Sequence, residues 1–386
     1  MIDFTPTDEQ RALVDTVRRF VQNEIVPVEH DLDPDAGQLP GEVHTRLAKR
    51  VEQMGLHAWD APAEVGGPGL DTVTKVLLAI EMSQHRAGLY APCYGVFGGA
   101  GLAHLYEASE DQKERYLYPT LRGERSGFFA LSEPSGGSDP ARAIRTTAVR
   151  DGDDWVLNGG KLWISGAEHA DYGIVVARTG PGREGITSFI VDVDMPGFTV
   201  NRIVHTLRTT YPATELGLEN VRVPDSNRLG EVGQGFTLAA ARLVRQRIPY
   251  AAGCIGVAVA AHRLAVEYAK NRETFGKALA QQQGIQWMLV DNEVDLRISR
   301  LLVLEAAAKA DAGEDVRTEA AVGKLFATEA ASRVVDRSMQ IHGGLGVAKE
   351  LPFERWYREM RIRRIGEGPN EVQRMLIARH VLNGRT

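Results

Sequence analysis

A carboxylate that takes a proton from carbon needs open space in front of it, and Ile365-Gly366-Glu367-Gly368-Pro369-Asn370 provides that space. Glu367 lies between two strongly helical stretches, with glycine on both sides, so no adjacent side chain crowds a planar ligand. Glycine also tolerates the backbone angles that a closely pressed ligand demands. A second reading is a solvated acid on a turn, favoured by the dipole of the helix that begins at Pro369-Asn370-Glu371. Taken alone, the segment leaves both readings open.

Four further segments carry residues capable of chemistry. Leu131-Ser132-Glu133-Pro134-Ser135-Gly136-Gly137-Ser138-Asp139 is a polar, glycine-rich loop suited to presenting backbone N–H groups and hydroxyls to a ligand. Gly159-Gly160-Lys161-Leu162-Trp163-Ile164-Ser165-Gly166 reads as a strand in which Trp163 and Ser165, two positions apart, share one face. The third is Asn271-Arg272-Glu273-Thr274-Phe275-Gly276-Lys277, followed by Gln282-Gln283, and the fourth is Gln340-Ile341-His342-Gly343-Gly344. Each also has a structural reading: Trp163 as core, Arg272 as a solvated helix residue. His342 reads as a structural or backbone-contacting residue, because nothing near it in sequence offers a relay or a metal partner.

These segments must be positioned by surrounding elements, and 386 residues suffice for two or three domains or one composite core. The first ~125 residues read as helical. Thr7-Asp8-Glu9-Gln10 is a capping box, Leu13, Val14, Val17, Phe20 and Val21 follow at helical spacing, and Pro27 ends the pattern. A loop over 61–71 precedes helical patterns over 73–82 and 111–121. From about 128 to 223, short β-branched runs alternate with turn signals. Strands are expected at 146–149, 155–157 and 162–164, joined by hairpin turns Asp151-Gly152 and Asn158-Gly159-Gly160, then at 173–177, 188–193 and 198–203. Helices are expected at 236–270, 284–311, 318–341, 352–361 and 370–382, with Pro249 kinking or breaking the first. The expected fold is therefore α+β and multidomain: an N-terminal helical domain over 1–125, a middle antiparallel β-barrel or sandwich over 126–232, and a C-terminal four-helix-type bundle over 233–386.

Composition narrows the function. A formal charge of −6 argues against nucleic-acid binding, so an anionic ligand must be met by local arginines. Cys93 and Cys254 read as reduced, buried residues without a metal pattern. The acidic start Met1-Ile2-Asp3-Phe4 lacks a signal-like apolar region, and the apolar run from Ala251 to Ala261 is shorter than the roughly 18 residues of a membrane span. A cytoplasmic protein without membrane contact is expected. Gly344-Leu345-Gly346-Val347-Ala348-Lys349 lacks the third glycine and the preceding strand of a Rossmann site, and there is no phosphate-binding P-loop.

In order and spacing, these segments together with Ala63-Glu64-Val65-Gly66-Gly67-Pro68-Gly69-Leu70 resemble the acyl-CoA dehydrogenase family of flavoproteins over essentially the whole chain. The resemblance implies FAD as cofactor. Phe129, Leu131, Ser132, Gly137 and Ser138 would line the isoalloxazine, and Trp163, Ile164 and Ser165 would pack on it and hydrogen-bond it. Arg272 and Thr274 would meet the pyrophosphate. Gln283, Gln340, Gly343 and Gly344 would contact the adenosine end, in this family often across a subunit interface, which implies a homo-oligomer, most simply a tetramer. Pro369 and Glu371 would flank the cofactor, and Ser138, Arg247 and Gly368 would contact the acyl-CoA. Glu367 matches the usual base, which removes the α-proton while a β-hydride passes to flavin N5. In the family the thioester oxygen is held by a backbone N–H and a ribityl hydroxyl. Electrons would pass to an electron-transferring flavoprotein. The place implied is fatty acid metabolism.

The chain also departs from the common pattern. Gly366 stands where the family usually has tyrosine, Pro369 where threonine is usual, Val244 where aspartate precedes Arg247, and Gly137 where alanine is common. Gln246 lies where a minority branch keeps its base and cannot serve as one. An acyl pocket is expected from residues around 82–101 and the helix near Tyr250. The readings left open are a flavin oxidase or a desaturase of carrier-protein-bound acyl groups on the same fold, and a non-catalytic subunit binding acyl-CoA or nucleic acid.

Overall fold

The computed structural model describes residues 5–88, 92–98 and 103–384; at 140, 241–243 and 245 only the backbone is described. The start of the chain, and residues 89–91 and 99–101 of the expected acyl pocket, lie outside the described residues. Two compact units are present: the first comprises residues 1–50, 70–96 and 244–386, the second 51–69 and 97–243.

The first unit is helical. Its opening helix, Asp8–Phe20, is capped by Thr7, whose hydroxyl accepts from the Gln10 N–H while the Gln10 side chain accepts from the Thr7 N–H. Short π and 3₁₀ turns carry the chain through Val21–Ile25 and Pro27–Asp31. The Thr72–Met82 helix is capped by Asp71. The bundle proper consists of Gly235–Asn271, which enters this unit at residue 244, then Gln283–Asp311, Arg317–His342, Phe353–Arg363 and Asn370–Leu382. All five expected helices are present, within a residue or two of their expected ends.

Of the kink or break expected at Pro249, the break does not occur: the helix Gly235–Asn271 runs on through the proline. The residues flanking the proline explain this: Ile248, Ala251, Ala252, Cys254 and Ile255 are all buried, so packing holds the path where one backbone bond is missing. Its portion Gln246–Asn271 is long and apolar enough to cross a membrane by length and composition; these buried residues account for that character within the unit's core. At Gly256 a Cβ would meet the Ile80 carbonyl oxygen at 2.2 Å, so this helix and Thr72–Met82 approach backbone to backbone.

The second unit is built on a mixed sheet. Its strands are β1 (Gly127–Ala130), β2 (Thr147–Asp151), β3 (Asp154–Ser165), β4 (Tyr172–Arg178), β5 (Ile186–Asp192), β6 (Phe198–Val204), β7 (Ala213–Pro224) and β8 (Arg228–Leu229). The order is β6-β7-β3-β2-β4-β5-β8, with β1 also pairing β4. Most pairs are antiparallel, as expected, but β1 and β2 both run parallel to β4. β4 and β5 are buried on both sides, which explains the largely apolar sequence of β4 and the apolar Phe189-Ile190-Val191 of β5. One side joins Trp155, Leu157, Ile164, Phe189 and Leu216. The other packs Tyr172, Ile174 and Ile190 against Leu105, Tyr116, Leu117 and Leu121.

The expected hairpin turn at Asn158-Gly159-Gly160 is not a turn. β3 is one twelve-residue strand, and the glycines mark an irregularity in its register with β7. At Gly159 a Cβ would meet the Thr146 backbone at 2.6 Å, so the glycine is there for close approach.

Replacing Gly256 by alanine is expected to lower stability by about 1–3 kcal/mol, because overpacking against the Ile80 carbonyl outweighs the gain of roughly 1 kcal/mol in helix propensity. Urea denaturation of the purified protein measures the balance.

Candidate active site

Glu367 lies on the turn between the helices Phe353–Arg363 and Asn370–Leu382, half-buried, with φ +53°. A left-handed backbone on a glutamate is costly and persists only where its surroundings impose it. The turn is held closely. The Gly366 and Asn370 N–H groups donate to the Ile362 and Arg364 carbonyls, each at 3.0 Å. The Gly368 carbonyl, one residue beyond the carboxylate, accepts from Lys324 Nζ at 3.0 Å and from Gln373 Nε2 at 2.8 Å. Lys324 also donates to Asn370 Oδ1 at 2.8 Å, and Asn370 Nδ2 donates to Thr328 Oγ1 at 3.2 Å. Lys324, Thr328, Asn370 and Gln373 are all buried.

Two residues of the Gly235–Asn271 helix face this turn. Arg247 is buried, and a Cβ on Gly368 would lie 3.5 Å from its Nη2; its Nε meets no hydrogen-bond acceptor among the described residues. Burial pulls the Arg247 guanidinium below its ordinary range, and the Glu367 carboxylate opposes that shift. Tyr250 lies under Gly366, where a Cβ would meet the tyrosine oxygen at 2.6 Å. Its hydroxyl donates to the Arg363 carbonyl at 3.2 Å, and the Arg363 guanidinium sits 4.5 Å from its ring centroid. The tyrosine thus occupies the space that the glycine at 366 leaves open.

The remaining candidates of the first unit lie on its surface. Arg272 is exposed at the end of its helix, where its carbonyl accepts from the Leu279 N–H at 2.8 Å. Thr274 pairs with Lys277 in a small hairpin whose two central residues, Phe275 and Gly276, have φ +53° and +74°, the type I′ pattern. Phe275 is 98 % exposed. So large an apolar ring in the open, on a backbone with positive φ, is a feature the sequence reading passed over. Gln283 begins its helix; Gln340 and the Gly343-Gly344 corner end theirs; all four, with Glu371, are exposed, while Pro369 is half-buried. His342 is structural: Nδ1 pairs with the Ser338 carbonyl at 2.7 Å, and its ring stacks on Tyr268.

In the second unit, Phe129 is half-buried and Leu131 buried, and both join the packing around Ile144, Val176 and Ile186. Ser132 is half-buried, its carbonyl accepting from the Leu162 N–H at 3.0 Å; Gly137 and Ser138 are exposed. Trp163 takes φ +66° within a second irregularity in the β3–β7 register and is 56 % exposed. Ser165 is exposed too, its hydroxyl accepting from Arg208 at 3.0 Å. Ile164 between them is buried in the β core, which leaves its backbone as what it can offer a ligand.

One buried ion pair fixes this loop. Lys161 Nζ donates to Glu133 Oε1 at 2.8 Å, to the Val176 carbonyl at 2.6 Å and to the Leu131 carbonyl at 3.3 Å. Glu133 also accepts from the Arg145 and Thr146 N–H groups, at 2.6 and 3.0 Å. Burial pushes Lys161 down to about 8 against the pull of Glu133. Burial would raise Glu133, but Lys161 and the hydrogen bonds hold it below the usual carboxylate range. Neither Lys161 nor Lys324 was singled out from sequence. The available signal was a cation inside an otherwise apolar helix, Ala320-Ala321-Val322-Gly323-Lys324-Leu325-Phe326-Ala327.

Comparison with known proteins places these halves in context. Models of the N-terminal, middle and C-terminal domains of acyl-CoA dehydrogenases match residues 7–124, 128–221 and 233–382. The chain is 39 % identical over 381 residues to a 3-(aryl)acrylate reductase of Clostridium sporogenes, covering 97 % of this chain and 99 % of that one. Butyryl-CoA dehydrogenase from Megasphaera elsdenii superposes with a TM-score of 0.87 at 32 % identity, covering 99 % of this chain and all of the other. A structure described as the FAD complex of PigA superposes with a TM-score of 0.89 at 25 % identity, covering both chains fully.

Replacing Glu133 by glutamine leaves Lys161 buried without its counter-ion and is expected to cost about 3–5 kcal/mol, part of which Lys161→Met restores in the double variant. Denaturation of the two single variants and the double variant measures the coupling.

Proposed function

We infer that this chain, which belongs to the acyl-CoA dehydrogenase family, oxidises an acyl-CoA thioester with Glu367 as the base that removes the α-proton. The observation that carries this reading is the Glu367 turn: a carboxylate in a left-handed conformation, held by buried donors and set beside a buried arginine. Such a residue is fixed in place before any substrate arrives, which is what a base acting at carbon requires. Arg247, buried with an Nε that meets no acceptor among the described residues, places a positive charge beside the Glu367 turn that is offered to the substrate.

FAD is the cofactor, and when bound it supplies the acceptor for the β-hydrogen, which leaves as hydride. The residues present suit such a group. In the second unit, an indole and a hydroxyl stand exposed on β3, beside a polar glycine-rich loop pinned by Glu133 and Lys161. In the first, Arg272 and Thr274 belong to one hairpin segment and Gln283 begins the helix that follows it, with the exposed Arg272 offering a planar guanidinium for phosphate. The corner Gln340, Gly343 and Gly344 completes the set carried over from the family.

We further propose a homo-oligomer, most simply a tetramer, located in the cytoplasm and passing its electrons to an electron-transferring flavoprotein. In support, Trp287, Val290, Val294, Ile298 and Leu301 repeat every three or four residues along one exposed face of the helix Gln283–Asp311. A second copy of this chain accounts for that stripe and for the exposed Phe275. Light scattering at micromolar concentration is expected to report four chains, and Val294→Glu is expected to shift the mass downward.

Anaerobic titration with acyl-CoA tests the base. Glu367→Gln is expected to keep FAD and bind the thioester while the flavin is no longer bleached; bleaching at the wild-type rate would place the base elsewhere. Arg247→Ala is expected to weaken apparent substrate affinity by roughly tenfold, as for a lost charge-assisted bond. In the wild type the reduced flavin, with product bound, is expected to reoxidise slowly in air; rapid reoxidation would instead favour an oxidase.

A further inference from the structure

The base is useful only if its turn stays in place, and the fold devotes a buried lysine to that turn. Lys324 sits in the helix Arg317–His342, fully buried, among Ala320, Ala321, Ala327 and Thr328 of the same helix. Among the described residues its ammonium makes no ion pair at contact distance. Instead it reaches neutral acceptors on the turn itself: the Gly368 carbonyl at 3.0 Å, Asn370 Oδ1 at 2.8 Å and the Arg364 carbonyl at 3.5 Å. These acceptors bracket Glu367 on both sides in sequence. Burying an ammonium without a counter-ion is expensive, so its retention needs a purpose that a leucine could not serve.

We propose that Lys324 is a positioning residue for the base: it clamps the 364–370 turn and so holds Glu367 in its left-handed conformation. This rests on the reading of Glu367 as the base. Gln373 shares the load through its own bond to the Gly368 carbonyl at 2.8 Å. A neutral amine has one donor fewer than an ammonium and presents a lone pair, so deprotonation weakens the clamp.

The charge on Lys324 is therefore the lever. The groups that act on it are Arg247 and Cys254, with the ring of Tyr250, from one helix, Glu367 from the turn and Glu371 from the last helix. Burial is the largest influence and pushes Lys324 down to about 8, with Arg247 pushing the same way and Cys254, Glu367 and Glu371 opposing. The clamp is complete at neutral pH and is released as pH rises through that value.

The test uses FAD-loaded enzyme and a short straight-chain acyl-CoA as probe, with the rate of anaerobic flavin reduction followed against pH. Wild type is expected to lose rate above pH about 8. Lys324→Arg, which stays charged, is expected to move that fall to higher pH. Lys324→Met is expected to lower the reduction rate by about tenfold or more at neutral pH, as for other residues that orient a reactive group, while thioester affinity changes little. Hydrogen exchange at the amides of 365–371, measured without substrate, is expected to quicken in Lys324→Met. Should that variant not fold, Lys324→Arg and Gln373→Leu decide: the second should slow reduction and speed exchange without moving the alkaline fall. An alkaline fall unmoved in Lys324→Arg, or exchange at the turn unchanged in the methionine or Gln373→Leu variant, overturns the proposal. Glu367→Gln run alongside separates the two readings. If it reduces flavin normally the base assignment is wrong; if it is inert while the Lys324 variants match wild type, the clamp is wrong.

Discussion

A single carbonyl oxygen, that of Gly368, is the point on which the geometry of the Glu367 turn depends. Two fully buried side chains donate to it, from helices far apart in sequence, and the residue before it carries the carboxylate. Because Glu367 has φ +53° and Gly368 φ +86°, the chain there would relax if left to itself. Fixing the carbonyl fixes the peptide, and fixing the peptide sets the direction in which the acid points. The helices of the bundle can be seen as the frame that brings Lys324 and Gln373 to that one atom.

The second unit solves a similar problem in the same way. Lys161 is as deeply buried as Lys324, is likewise pulled down to about 8, and likewise donates to main-chain carbonyls, those of Leu131 and Val176. Here the counter-charge is present, because Glu133 must also tie down the Arg145 and Thr146 N–H groups. In both units a flexible, many-donor side chain in the interior organises a loop whose own side chains remain available at the surface. This is a use of buried charge for placement rather than for stability.

The large elements were legible in the sequence because hydrophobic period speaks directly to them. The capping box at Thr7 and the five C-terminal helices follow from local signals, and so do most strands. Glu367 was legible as a candidate because its glycines are unusual between helices. Where reading failed, a long-range contact overrode a local cue. Asn158-Gly159-Gly160 has the composition of a turn, yet the glycine serves the close approach of Thr146, a partner thirteen residues away. Pro249 has the chemistry of a breaker, yet its neighbours are locked in the core. Lys161, Lys324 and Gln373 were invisible as functional residues because their role exists only through carbonyls contributed by other segments. Phe275 was quoted within its motif, but that the ring stands in the open is a property of the hairpin, not of the word.

The fit between Gly366 and Tyr250 constrains how this site can change over generations. Any side chain at 366 would begin 2.6 Å from the tyrosine oxygen, so the two positions cannot vary independently. Trimming Tyr250 first opens a gap under the turn, whereas enlarging Gly366 first forces the turn outward and takes Glu367 with it. Each single step thus carries a cost that the other position sets, a coupling written into one interatomic distance. Glycine at 366 and tyrosine at 250 therefore act as one fitted pair, and the floor beneath Glu367 keeps its shape only while both are kept.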